Sequence, residues 1–304
     1  MIRLVLGRLA GGLVVLWAVA TFSFFMLRAA PGGPFDDERA LPPEIANNVA
    51  ERYDLKAPVV EQYGRYLGNV LRLDFGHSMK RQQTVAEIIR GHAPYSAKLG
   101  LLALAIAVTL GIGLGVTAAA RQNRLGDHAA MTLALAGISI PSFVLGPLLV
   151  LIFSLTLFWL PPARVEGFTS YLLPAATLGL IYMGTVARLT RSGMLETLRQ
   201  DYIRTARAKG VSERAVVWRH GLRLGLLPVV TYLGPATAAL ISGSFVVEKI
   251  FQIPGLGFYF IASITDRDYP VLTGVLVFYT AFLVLLNLAV DLAYGALDPR
   301  ARAQ

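Results

Sequence analysis

Residues 188–223 read RLTRSGMLETLRQDYIRTARAKGVSERAVVWRHGLR. The stretch is 36 residues long and carries nine Lys or Arg against three acids, Glu196, Asp201 and Glu213. Long uncharged runs flank it on both sides. A basic segment between two apolar walls has the character of a cytoplasmic loop between membrane spans, because Lys and Arg accumulate on that side of a bilayer. Within it, Asp201 to Gly210 has the makings of a short helix. Asp201 can cap the start or favour it electrostatically. Tyr202, Ala206 and Lys209 recur along one side, and Gly210 suits a left-handed stop. Ser212 is placed to cap a second helix, with Glu213 in its first turn.

Composition agrees with that reading. The 304-residue chain is 55% hydrophobic and only 15% charged, with a mean hydropathy of +0.57. A soluble domain usually has about a quarter of its residues charged. The charges are clustered and leave uncharged stretches of the length a helix needs to cross a bilayer core of about 30 Å. The net charge of +9 sits mostly in loops beside the spans, so it points to membrane lipid and not to nucleic acid. Without cysteine there is no disulfide framework and no thiolate nucleophile.

Six spans follow: Leu9–Leu27, Leu99–Ala120, Ala129–Leu160, Phe168–Ala187, Leu224–Val247 and Tyr269–Val290. The first is expected to be a retained span, since its 19 uncharged residues exceed the apolar core of a signal peptide. In the second, Gly111, Gly113 and Gly115 would let helices approach closely. The third, 32 residues long, is too long for one straight crossing. Pro141 and Pro147 allow a kink or break, which either borders a pathway or merely bends a structural helix. The expected fold is an all-α polytopic membrane protein with six transmembrane helices.

The short loops assign orientation. The N-terminus, residues 121–128, residues 188–223 and the tail hold 15 basic residues, and the two short loops on the other side hold 3. Both termini are therefore expected in the cytoplasm. The 71 residues from Arg28 to Lys98 carry ten basic and nine acidic residues and read as a helical extracytoplasmic cap. Helix starts are expected at Pro42-Pro43-Glu44 and Pro58, with a capping box at Thr84 and Glu87. The domain division expected is 1–28 for the first span, 29–94 for the cap, 95–292 for the core and 293–304 for the tail. Residues 253–258, too apolar for a free loop, should dip back against the bundle.

Several chemistries are missing. No Gly-Lys is followed by Ser or Thr, so there is no phosphate-cradling loop of that kind. The four histidines fit no metal spacing. The six spans contain no Asp, Glu, Lys, Arg or His, which weighs against proton coupling while leaving sodium coupling open. An energy-supplying partner that seats on the basic loop is one reading. A loop whose helices only lie on anionic headgroups is the other.

The residues then carry a resemblance. Tyr202-Ile203-Arg204-Thr205-Ala206-Arg207-Ala208-Lys209-Gly210, followed by Arg219-His220 and Leu227-Pro228, resembles the signature loop of ATP-binding-cassette importer permeases of the oligopeptide, dipeptide and nickel branch. Arg204 and Thr205 depart from the Glu-Ala of the wider importer motif, as that branch does. The resemblance extends over the chain through Leu27 to Phe35, Leu41 to Glu44, Asp74-Phe75-Gly76, Ile140-Pro141-Ser142-Phe143, Ile253 to Gly257, Arg267 to Pro270 and Asp298-Pro299.

It implies a permease subunit of the bacterial inner membrane that is not itself an enzyme. A second homologous permease, two cytoplasmic ATPase subunits and an extracytoplasmic peptide-binding protein would complete the transporter. ATP and Mg would sit on the ATPases, with no cofactor in this chain. Asp201, Tyr202, Arg204, Thr205, Ala206, Arg207, Lys209 and Gly210 would couple to the ATPase. Glu248, Lys249, Pro254, Gly255, Asp266, Arg267 and Asp268 would border an outer gate or the binding-protein dock. Their rival reading is ordinary charge at a membrane boundary. The substrate expected is an oligopeptide, with dipeptides, glutathione or nickel chelates as alternatives. The rival from another class is an ion-gradient-driven secondary transporter.

Overall fold

The computed structural model describes residues 2–29, 57–242 and 245–297. The expected helix start at Pro42 and the Asp298-Pro299 motif lie outside them. Five helices are long and apolar enough to cross a membrane, and a sixth crossing results if one bent pair counts as a single span. The expected all-helical, multi-span fold is therefore observed. The chain divides into two compact units, one of residues 1–94 and 255–285, the other of residues 95–254 and 286–304.

In the first unit, α1 (Ile2–Ala29) packs beside α2 (Val59–Leu71). Proline 58 starts α2, as its preset backbone suits a first turn. Phe24, Phe25, Tyr63 and Tyr66 form an aromatic cluster with ring centroids 5.3 Å apart. The Tyr63 and Thr21 hydroxyls are 2.6 Å apart. Next comes α3 (Val85–Ala120), whose start is the expected capping box. The Thr84 N–H donates to Glu87 Oε2 at 2.8 Å and the Glu87 N–H to Thr84 Oγ1 at 3.2 Å. Helix α3 runs unbroken through Pro94 into the span expected to begin at Leu99. Its 36 residues extend about 54 Å at 1.5 Å each. The apolar core of this unit is Val85, Ile88, Leu256, Val271 and Val275.

The second unit has at its centre α6 (Leu172–Thr197), entered through a 3-10 turn at Phe168–Tyr171. Against it lies α4 (Leu125–Ser139). The chain then turns by 107° into α5 (Ser142–Leu149), which continues as a wider π-helical stretch, Val150–Thr156. The bend falls at Ile140-Pro141, where both residues are extended. Proline stops α4 because the residue before it avoids the helical region, and its own fixed φ starts α5. The long uncharged third stretch is thus a broken one. Glycines 111 and 115 lie against α6: an added Cβ would come within 2.9 Å of the Met183 carbonyl and 2.6 Å of the Ala187 carbonyl. Gly113 instead faces open space. The core is built on Leu99, Ala103, Leu173, Leu178, Leu240 and Phe251.

Two short helices, α7 (Asp201–Ala208) and α8 (Glu213–Ala215), follow α6. A π-helical stretch, Val216–Gly221, leads through α9 (Leu222–Gly225) to α10 (Leu227–Ile241). Then come α11 (Phe245–Ile250), α12 (Leu256–Thr265) and α13 (Tyr269–Leu297). Of residues 253–258, expected to dip back, Ile253 is 3% exposed and Leu256, the first residue of α12, fully enclosed, whereas Phe258 is exposed.

Candidate coupling site

Helix α7 buries a single side chain. Ile203 is completely buried, while Asp201, Tyr202, Arg204, Thr205, Arg207, Lys209 and Gly210 are exposed and Ala206 is half-buried. One aliphatic side chain therefore seats the helix, and the remaining surface faces outward. The Tyr202 hydroxyl donates to the His220 carbonyl at 3.2 Å, a second tie to the segment that follows.

The start and stop of α7 have distinct causes. Gln200, extended, occupies the capping position without a side-chain capping bond. Asp201 is the first helical residue, so it acts through the helix dipole and not as the cap. Arg204 lies 3.5 Å from its carboxylate on the exposed side. At the other end the Gly210 N–H donates to the Arg207 carbonyl at 2.9 Å and the Val211 N–H to the Ala206 carbonyl at 3.2 Å. This paired pattern is a Schellman stop, and it places Gly210 at φ +79°. Ser212 stands extended before α8, but its side chain makes no capping bond, contrary to expectation. Its carbonyl instead accepts the Val216 N–H at 2.9 Å.

The turn between α7 and α8 is clamped. Arg207 donates through Nε to Glu213 Oε2 at 3.1 Å and through Nη2 to Glu213 Oε1 at 2.6 Å. That guanidinium holds the Glu213 carboxyl below the usual carboxylate range. Upstream, α6 leads directly into this site. Its Arg191 makes a two-point pair with Asp127 of α4, both bonds at 2.7 Å. Asp127 is buried and also accepts the Asn123 N–H at 2.9 Å. In the sequence Asp127 falls in a short loop and Arg191 is one of nine basic residues between 188 and 223. Nothing local signals a pairing across 64 positions.

The second group of expected site residues is split between the units. In the second unit Glu248 is fully buried and accepts the Ser96 hydroxyl at 2.7 Å. Lys249 is exposed, 5.6 Å above the Phe245 ring, and Pro254 is half-buried. In the first unit Gly255 is buried, and Asp268 is buried and accepts the Ser78 hydroxyl and, at 3.1 Å, the Met79 N–H. Asp266 is exposed and lies 3.8 Å from Arg81. Arg267 has a left-handed backbone, φ +52°. Two of the carboxylates are thus interior groups and not members of an exposed charged frame. Among the described residues, no cluster of three His, Asp or Glu side chains could hold a metal ion.

Comparison with known proteins gives consistent matches. The family described as "Binding-protein-dependent transport system inner membrane component" matches residues 111–303. The chain is 42% identical over 305 residues to the oligopeptide transport system permease protein OppB of Haemophilus influenzae, covering 99% of this chain and 100% of that protein. It is 43% identical over 283 residues to the dipeptide transport system permease protein DppB of Bacillus subtilis, covering 93% and 92%. Among solved structures, the MetNI methionine ABC transporter in an inward-facing conformation has a chain with TM-score 0.58 at 15% identity. The match covers 69% of this chain and 96% of that one, and it shows a shared fold.

Proposed function

The chain belongs to the binding-protein-dependent transport system inner membrane component family, and from that membership we propose that it forms half of an oligopeptide pathway. It is a multi-pass membrane protein and a permease subunit of an ATP-binding-cassette importer. The observation that carries the substrate is the near-complete alignment with an oligopeptide permease at 42% identity. A dipeptide substrate stays the second reading, supported by a relative of similar identity.

In the proposed complex both termini lie in the cytoplasm of a bacterial cell and residues 29–94 lie outside the inner membrane. A second permease lines the other half of the pathway, and an external binding protein delivers the peptide. Two ATPase subunits bind ATP and Mg. Helix α7 seats in one of them and passes its movement to α6 and to the segment leading into α10. The exposed face of α7, its single buried anchor and its clamped stop support this role: the helix is held firmly on the chain while most of its surface is free. A two-state permease biased by ATPase closure needs such a rigid lever.

The test is reconstitution. The purified complex in proteoliposomes, supplied with its binding protein and ATP, should accumulate peptides of several residues. Uptake driven by an ion gradient without ATPase subunits would overturn the proposal. Uptake of dipeptides alone would select the second reading.

A further inference from the structure

The first unit contains an apolar groove of about 420 Å³, within the usual range of ligand sites, roughly 300–1,000 Å³. Its walls come from three helices: Met26 and Leu27 of α1, Phe260 and Ile264 of α12, Leu272 and Leu276 of α13. Met26 and Ile264 are 52% and 48% exposed, so they form open lips, while Leu27 and Leu272 are buried and form the floor. Arg267 and Tyr269 join the wall at one end, and the one other polar member, Ser23 of α1, has its hydroxyl satisfied by the Ala20 carbonyl at 3.0 Å. That end corresponds to the last turn of α1 and the first turn of α13. The groove therefore begins at a membrane boundary and runs one to two helical turns into the apolar zone.

Arg267 lines this end of the groove; Asp266 beside it lies 3.8 Å from Arg81, and Asp74 lines the adjoining cavity. Tyr269 also lines a neighbouring cavity of about 350 Å³ that contains Arg28. Arg28 lies 3.6 Å over the Phe24 ring and donates to Gln62 Oε1 at 3.0 and 2.5 Å. No carboxylate pairs with it among the described residues. Arg267 closes α12 in a Schellman stop, with its N–H on the Ile264 carbonyl at 3.3 Å and the Asp268 N–H on the Ser263 carbonyl at 2.9 Å. Glycine usually holds that left-handed position. An arginine there brings a guanidinium to the groove mouth despite the unfavourable left-handed backbone.

We propose that this groove holds one acyl chain of an anionic phospholipid whose phosphate faces Arg267 and Arg28. The apolar slot, the cationic mouth and the boundary tyrosine match that ligand. The exposed apolar surface of α1, with Val14, Trp17, Phe22 and Phe25 all at least 45% exposed, suits acyl chains, and the arginines at the mouth suit an anionic headgroup. The inference needs only that the chain spans a bilayer, so it stands apart from the peptide substrate.

The test uses the full transporter in nanodiscs of equimolar phosphatidylglycerol and phosphatidylcholine, then counts lipid retained after detergent extraction by mass spectrometry. The wild type should retain phosphatidylglycerol in preference. Arg267→Gln should lower that retention roughly fivefold, the weight of one basic residue at an anionic lipid surface. Leu276→Trp should displace both lipids by filling the slot. A photoreactive residue replacing Ile264 should form a phospholipid adduct. Unchanged retention in either variant, or an adduct to a polypeptide, would overturn the proposal.

Discussion

Arg191 grips Asp127 with two parallel hydrogen bonds of 2.7 Å, fastening the base of α6 to the start of α4. Arg191 lies ten residues before α7 begins at Asp201. The Asp127 side chain is only 3% exposed and that of Arg191 28%. Removing one partner leaves a buried charge uncompensated, which costs about 3–5 kcal/mol in enclosed pairs. Asp127→Ala or Arg191→Ala should therefore lower thermal stability of the purified complex sharply. The double variant should be less damaged than the sum of the singles, since neither charge is then orphaned. A strictly additive double-mutant cycle would show that the two groups do not interact.

Ile203 is the apolar anchor of α7. Ile203→Ala removes a fully buried side chain and should destabilise by about 2 kcal/mol, the low end for such truncations because a surface helix can relax. Ile203→Lys should undock α7 altogether. Uptake would fall while ATP hydrolysis persisted, and a parallel loss of both would point to general unfolding.

Gly210 holds a positive φ and an N–H that closes the helix. Gly210→Ala should cost roughly 1 kcal/mol from the left-handed backbone alone. Gly210→Pro should cost more, because it also removes the donor and forces φ negative. The ratio of peptide transported to ATP hydrolysed is the measurement, and it should drop more in the proline variant.

The Arg207–Glu213 clamp sets a pH limit. The folded pKa of Glu213 is depressed, so its stabilisation is complete above the ordinary glutamate value near 4.3. It is lost as pH falls through the lower folded value. Both side chains are partly exposed, so the contribution is under about 1 kcal/mol. Hydrogen exchange at the Gly210 amide should be protected equally at pH 6 and pH 8 after correction for intrinsic rates. Glu213→Gln should raise exchange modestly at both.

Much of this was legible because the bilayer imposes long apolar runs and proline and glycine mark their breaks. Pro141, the Thr84–Glu87 box and the Gly210 stop all act within a few residues, where sequence carries the signal. Asp127 with Arg191 and Ser96 with Glu248 depend on contacts across 64 and 152 positions, and no local pattern encodes them. Span boundaries blurred for a related reason. Helix α3 begins at Val85, because its polar first turns are as helical as the apolar ones, and charge alone marks where lipid begins and not where helix does. Ser212 and Asp201 were placed within a residue of their helix starts. Their side-chain roles depend on rotamers that composition does not specify.

The proposed docking of α7 on an ATPase subunit can be trapped directly. The chain has no cysteine, so a single Ala206→Cys in the assembled transporter gives an uncluttered probe. With cysteines introduced one at a time along the ATPase surface that faces the membrane, oxidation should trap a permease–ATPase disulfide in transport-competent complexes. The yield should change when ATP is bound. Complexes that transport normally yet give no such disulfide at Ala206, Tyr202 or Lys209 would contradict this docking.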